Sequence, residues 1–490
     1  MRITRRVLLG GLLGSVAKAG LANAPLTSPR PPRFTHAKTT PASAADLIAA
    51  ASLGGRVSYV VADAKTGLIL EARDAGRAMP PASTAKAITS LYALEHLGAS
   101  HRFETRLIAT GLVQGGVLQG DLVLAGGGDP GLTTDDLGDL AKALVRTGLR
   151  SVTGRFLVWG GALPYLKAID QTQPDWLGYN PAVCGLNLNY NRVNFVWKKA
   201  GSGYEVGMDA RADRFAPKVY SANIKIAERD LPVFTYKDRG RIEEWTVARG
   251  ALGNGGSRWL PVRHPDLYAG DVFQTLARAA GVALPSPQAA KAAPSGTVLV
   301  AHKSPELASI LRGMMKHSNN MTAEAVGMAA SVTQGVASHV ASGRAMAGWL
   351  GARAGGTSAK FADHSGLVGA SRISAEDMVR ALTVLGPRAG LRGLMKEVPV
   401  LDAAGKRLKS QQVRVDAKTG TLNFVSSLAG YISAPGQTEL VFAIFTGDIA
   451  RRDAVPDSQK ERPNGGRGWV KRSKTLQQQL LHRWVSVYGG

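Results

Sequence analysis

The sequence predicts a mixed α/β protein in which one domain, an antiparallel sheet flanked by helices, is split by a large, mainly β insertion. Three observations predict it. Strand-like runs and a helix stand at the head of the chain (43–105), and helices followed by strands stand at its tail (291–490). Between them, from 106 to 290, many short glycine-punctuated strand-like runs occur. The chain has 490 residues, more than one ordinary domain, and 44% of them are hydrophobic, enough for buried cores.

The head opens on DLIAAASLGG (46–55), a short helix ended by glycines. RVSYVVADAKTGLILEARDAG (56–76) reads as strand, turn, strand. A helix follows from about Ser83 to His96, with Ile88, Leu91 and Leu94 at core spacing. In the middle segment, 106–128 reads as a hairpin, 135–148 as a helix and 155–161 as a strand. Residues 288–304 read as a return connection. The tail holds one or two helices within 305–330, strands in 413–424, 426–434 and 438–447, and a closing helix over 475–488. No repeat of fixed period is present.

The first residues read as an export address. MRITRRVLLGGLLGSVAKAG has a basic start, the pair Arg5-Arg6 and a short apolar core. Residues 1–24 are expected to be a signal peptide, and the arginine pair points to the twin-arginine route; a Sec signal with incidental arginines is the alternative. Cleavage fits after Ala19 or after Ala24, the latter opposed by Pro25. Residues 25–42 form a Pro-rich linker. The mature chain is then expected in the periplasm without a transmembrane span, since no apolar run reaches the roughly 18 residues of a span.

Composition narrows the function. Sixty basic against 36 acidic residues give a net charge of +24, which suits a polyanionic neighbour. No nucleic-acid-binding signature accompanies the charge, so nucleic acid is not expected as a partner. The local excess in 451–474 reads as a solvated loop. The single cysteine, Cys184, excludes an intrachain disulfide framework and reads as a small core residue. Nine histidines contain no His-Glu-x-x-His pattern, and neither metal nor cofactor is expected.

Three short motifs carry the chemistry. Ser83-x-x-Lys86 stands at the helix start, Ser318-Asn319-Asn320 in the helical part of the tail, and Lys418-Thr419-Gly420 on a strand near the end. A serine hydroxyl is a poor nucleophile until a base takes its proton. At i and i+3 of a helix two side chains share a face, so Lys86 reaches Ser83. A lysine at its ordinary pKa of about 10.4 is protonated and useless as a base. Burial and a second nearby cation favour the neutral amine, and Lys418 is the expected cation, itself staying charged. The Ser83 and Thr421 backbone N–H groups are expected to form an oxyanion hole. DAKTG occurs twice, at 63–67 and 416–420. The first copy precedes Ser83 and reads as a turn with Lys65 exposed; only the second has the order the set requires.

In this order the motifs resemble the serine acyl-transfer set of penicillin-binding proteins and β-lactamases. With PPASTAKAITSLYALEHLG, LVLAGGGDPGLT, HSNNMTAEAV, DHSGL (363–367) and VDAKTGTL, the chain resembles the penicillin-binding protein 4 type of D-alanyl-D-alanine carboxypeptidase and endopeptidase, peptidase family S13. The long stretch between Ser83 and Ser318 matches too, because that family inserts two domains there. The resemblance implies a split peptidase domain (43–105 and 291–490) with inserted domains II and III (106–290). It implies Ser83 as acylated nucleophile, Lys86 as its base, Ser318 as proton relay to the leaving D-alanine, and Asn320 as holder of Lys86 and substrate. Lys418, Thr419, Gly420 and Thr421 would bind the terminal carboxylate. Peptidoglycan peptides are the implied substrates, and β-lactam antibiotics the covalent inhibitors. The family's usual Asp-Gly-Ser-Gly-Leu-Ser is here Asp363-His364-Ser365-Gly366-Leu367-Val368; His364 is expected to be a loop histidine without a role, with substrate contact the alternative. The family's acidic residue for a diamino acid is not evident after Trp176. A β-lactamase of the same fold and a non-catalytic cell-wall binding protein are the competing readings. The Glu-x-x-Leu-Asn loop of class A β-lactamases is not found after Ser83.

Overall fold

A central six-stranded sheet takes strands from both ends of the chain. Its order is Lys396–Glu397, Arg414–Leu422, Val425–Ser433, Leu440–Gly447, Arg56–Asp63, Ile69–Arg73, and every pairing is antiparallel. The computed structural model describes residues 41–355, 358–401, 413–434 and 438–488. The expected signal peptide and nearly all of the expected linker lie outside the described residues.

The period-2 geometry of a strand sorts the side chains of this sheet to two buried faces. From Arg56–Asp63, Val57, Tyr59 and Val61 enter one core with Trp469, Leu476, Leu480 and Trp484 of the closing helix. Val60 and Ala62 enter the other, with Ile88, Leu91 and the helices of the tail. Strands covered on both faces explain why Leu440–Gly447 is buried throughout. The closing helix, Gly466–Tyr488, begins earlier than its apolar periodicity suggests. Burying each tryptophan contributes about 1.5–3 kcal/mol, by analogy with other large apolar side chains.

The middle of the chain builds its own core. Glu104–Ala109 and Leu122–Gly126 pair antiparallel, as the hairpin reading expects. The stretch expected as a connection supplies strands instead: Pro287–Ala289 and Thr297–Lys303 are the two edges of a five-stranded sheet, the latter against Glu104–Ala109. TVLVAHK holds a continuous run of four apolar residues rather than a period-2 pattern, which leaves strand and connection undistinguished by periodicity. Three further three-stranded sheets, centred on Arg192–Ala200, Glu243–Ala248 and Val117–Leu118, complete this region among the described residues. Cys184 is buried within its core.

In the tail, 305–330 folds as two helices, Leu307–His317 and Asn320–Val332. Ser318 sits between them in the left-handed region (φ +57°), and the Asn319 side chain caps the second helix by accepting from Thr322 N–H. Among the described residues, no helix is long and apolar enough to cross a membrane.

Candidate active site

The nucleophile helix starts later than its sequence suggests. Ala82–Thr84 is a single 3-10 turn, and the α-helix proper runs Ala85–Leu97. Ala82 has φ +46°, a costly conformation for a residue with a side chain. Two close approaches surround this bend. The chain at Gly366 passes so near that an added Cβ would overlap the Ala82 carbonyl, and one at Gly420 would meet Ser83 N at 2.8 Å and Ser427 Oγ at 2.1 Å. Both positions therefore require glycine to bring their segments against Ser83.

Lys86, the second residue of that α-helix and three residues after Ser83, is fully buried. Its Nζ lies 3.0 Å from Ser83 Oγ, 2.8 Å from Asn320 Oδ1 and 2.7 Å from the Ser365 carbonyl. Burial lowers its pKa to about 7, against the opposing pull of Asp363 and Glu324. Lys418, 1% exposed, donates to Ser318 Oγ at 2.9 Å and to the Thr419 carbonyl at 2.6 Å. Burial also drives Lys418 well below the ordinary lysine range, followed by the charges of Lys86 and Lys396. The sequence reading had Lys86 alone depressed and a charged Lys418 as a cause. The structure makes burial the leading cause at both amines, and places the repulsion on Lys418.

Thr421 reaches the site through its register. The two-residue loop 423–424 makes Leu422 and Val425 the hydrogen-bonded pair of the hairpin. Alternation then leaves the Thr421 N–H pointing away from its partner strand, towards the edge that faces Ser83.

A cleft of about 1010 Å³ opens above these groups. Ser83, Ser318, Asn320 and Thr421 line one part of it, while Tyr179, Trp259 and Glu461 line another. Asn320 Nδ2 donates to the Tyr179 carbonyl at 3.0 Å, tying the motif to the middle region. The segment read as a solvated loop is a wall of this cleft. Glu461 accepts from the Trp176 indole N–H at 2.7 Å and pairs with Arg258 at 3.1 Å. The carboxylate beside Trp176 thus comes from far along the chain, and no local spacing could have revealed it.

His364 does not reach the cleft. It is fully buried, with Nε2 2.6 Å from Ser342 Oγ and Nδ1 3.4 Å from Met346 Sδ. Burial pushes its imidazole down to about 3. Gly327 makes room for it: an added Cβ there would come within 2.2 Å of the ring. The loop histidine of the sequence reading is therefore a core residue, and its polarity is satisfied by partners that only folding assembles.

Residues 41–464 match the model of the D-Ala-D-Ala carboxypeptidase 3 (S13) family. The chain belongs to that family. It is 28% identical over 449 residues to a D-alanyl-D-alanine carboxypeptidase of Actinomadura sp. (strain R39), covering 82% of this chain and 81% of the relative. It is 25% identical over 436 residues to the D-alanyl-D-alanine carboxypeptidase DacB of Haemophilus influenzae, covering 84% and 90%. The crystal structure of penicillin binding protein 4 (dacB) from Haemophilus influenzae shares the fold, with TM-score 0.71 at 20% identity over 91% of this chain and 100% of that one. Its complex with a novel β-lactam gives 0.68 at 19% identity, over the same shares. The eight motif residues from the sequence reading lie at or beside one site.

Proposed function

We propose that this S13 family member is a serine D-alanyl-D-alanine carboxypeptidase acting on peptidoglycan stem peptides, that it also cuts D-alanyl cross-links, and that penicillins acylate it at Ser83. One observation carries the reading. Asn320 Oδ1 and the Ser365 carbonyl take two N–H bonds of Lys86, so the lone pair of a neutral amine is left facing Ser83 Oγ.

The steps follow from that aim. Ser83 Oγ attacks the penultimate D-alanyl carbonyl carbon while Lys86 takes its proton. The oxyanion lies between the Ser83 and Thr421 N–H groups. Ser318 passes a proton to the departing amine as the C–N bond breaks, and Lys418 restores that proton through its contact with Ser318 Oγ. The proton that Lys86 took from Ser83 replaces the one Lys418 gave, so Lys86 is neutral again; it then takes a proton from water as water attacks the ester, and returns it to Ser83 Oγ as the ester C–O bond breaks. Lys418, Thr419, Gly420 and Thr421 hold the terminal carboxylate, whose charge draws Lys418 back to the protonated form. In a cross-link the same carbonyl is attacked and the leaving amine belongs to a second peptide.

We read 43–105 and 291–490 as the split peptidase domain and 106–290 as inserted domains II and III. The adjacent pairing of Glu104–Ala109 with Thr297–Lys303 supports an insertion, since the chain leaves and returns side by side, and it carries the inserted region's sheet on to Lys303. Export to the periplasm by the twin-arginine route is part of the proposal and rests on Arg5-Arg6.

Incubation with a penicillin followed by intact-mass and peptide mapping tests the assignment. One stable adduct on the Ser83 peptide, together with D-alanine release from a D-alanyl-D-alanine pentapeptide, is expected. Rapid loss of the adduct would favour a β-lactamase. Undiminished labelling of Ser83→Ala would overturn the nucleophile.

A further inference from the structure

Two of the three partners of Lys86 are motif side chains, but the third is a backbone carbonyl on a loop. The loop needs something to hold it. Ser365 accepts from Lys86 through its carbonyl and donates its own N–H to Glu324 Oε1 at 2.8 Å. The His364 N–H reaches the same carboxylate, at 3.1 and 3.2 Å to its two oxygens. Glu324 is 1% exposed and lies on the helix Asn320–Val332, four residues after Asn320. Residues four apart share a helix face. One face of one helix therefore supplies an acceptor to Lys86 directly, through Asn320, and a second one indirectly, through Glu324 and the loop. Glu324 is buried behind the loop, with its carboxylate taken by the two loop N–H groups.

The charged groups around this carboxylate come from each packed element. Lys86 faces it from the nucleophile helix, and Lys418 stands beyond Lys86 on the strand Arg414–Leu422. Asp363 lies on the loop itself, its oxygens taken by Ser365 Oγ, Leu367 N–H, Val368 N–H and Ser371 Oγ. His364 is neutral, and His339, from the helix His339–Ala354, pushes it further that way. Lys86 is thus the cation that a charge on Glu324 acts upon most directly.

We propose that Glu324 is a positioning residue: it anchors the Ser365 carbonyl on Lys86, and its negative charge sets the pH at which Lys86 gives up its proton and becomes a base. The inference rests on the reading of Lys86 as the base. Burial, with the charge of Asp363, pushes Glu324 up. Burial thus moves Lys86 down and Glu324 up toward it, so the two titrate as a pair, and the charged form of each favours the charged form of the other. Removing the carboxylate charge should let Lys86 deprotonate at lower pH.

Single-turnover acylation of the mature protein by a penicillin, followed from about pH 5 to about pH 9, reads the effect. Glu324→Gln keeps the shape and one acceptor while removing the charge; its acid limb is expected about one pH unit lower than in the wild type. Glu324→Asp keeps the charge but withdraws it by one methylene; its plateau rate should fall about tenfold with the limb in place. A purely structural role would lower the rate at every pH and move neither limb. A wild-type limb with an unmoved Glu324→Gln limb overturns the proposal. A flat wild-type profile overturns the base reading itself, which separates the two failures. Should Glu324→Gln not fold, carboxyl-labelled glutamate NMR of the wild type decides. A buried glutamate that ionises within or below the acylation limb supports the proposal, and one protonated throughout overturns it.

Discussion

The two copies of DAKTG are one sequence in two structures. In the first, Asp63 bends the chain: its Oδ1 accepts from the Lys65 and Thr66 N–H groups at 2.8 and 2.7 Å, and Gly67 takes φ +76° to close the turn. Lys65 is exposed. In the second, Asp416 is buried and pairs with Arg392 and Arg414, each at 2.8–2.9 Å. Lys418 is inside, on Ser318, and Gly420 stays extended so that the strand can touch Ser83 N. Asp, Lys and Gly thus do different work in each copy. Five residues carry too little conformational preference to decide between a turn and a strand; the neighbours that fold against them decide.

The comparison can be broken at each position. Lys418→Ala should lose about 10²–10³-fold in kcat/KM on a D-alanyl-D-alanine peptide, or about 2–4 kcal/mol of transition-state stabilisation in a water-poor site. Equal losses from Lys65→Ala would erase the distinction. Next comes pH. In the proposed mechanism the neutral amine of Lys86 is the reactive form, and burial places its pKa at about 7. Acylation should rise about tenfold per pH unit below that value and level off above it. A level rate from about pH 5 upward would remove a buried lysine as the titrating base.

The glycines separate conformation from contact. Gly420→Ala puts a methyl into Ser427 Oγ and Ser83 N; it should lower acylation and destabilise the fold by about 1–3 kcal/mol. Gly67→Ala should cost about 1 kcal/mol in thermal unfolding through its left-handed backbone, with acylation unchanged. Reversed phenotypes would show that the contact and the turn have been assigned the wrong way round. The smallest effect is expected of Lys65→Ala, within about 0.5 kcal/mol in stability and with kcat/KM unaltered.

Much of the machinery was legible because it is built from local order. Ser83 and Lys86 lie three residues apart at a helix start, and the strands after the one carrying Lys418-Thr419-Gly420 announce themselves by apolar runs. Glu461 and Glu324 were not legible. One meets Trp176 across the cleft, and the other meets a loop through backbone N–H groups that any residue carries. His364 lies in a loop, as read, and its burial was not legible, because the space for its ring is left by Gly327, distant in the sequence.

By itself the sequence determined the mixed α/β class, the reactive residue types, and the membership that residues 41–464 later confirmed. These depend on periodicity and on short motifs, which neighbours along the chain can encode. The tertiary structure alone decided which lysine is buried, which carbonyl accepts from Lys86, and which distant carboxylates surround the site. Burial and charge act through space, and the groups that set them here come from segments hundreds of residues apart, such as Lys86 and Ser365.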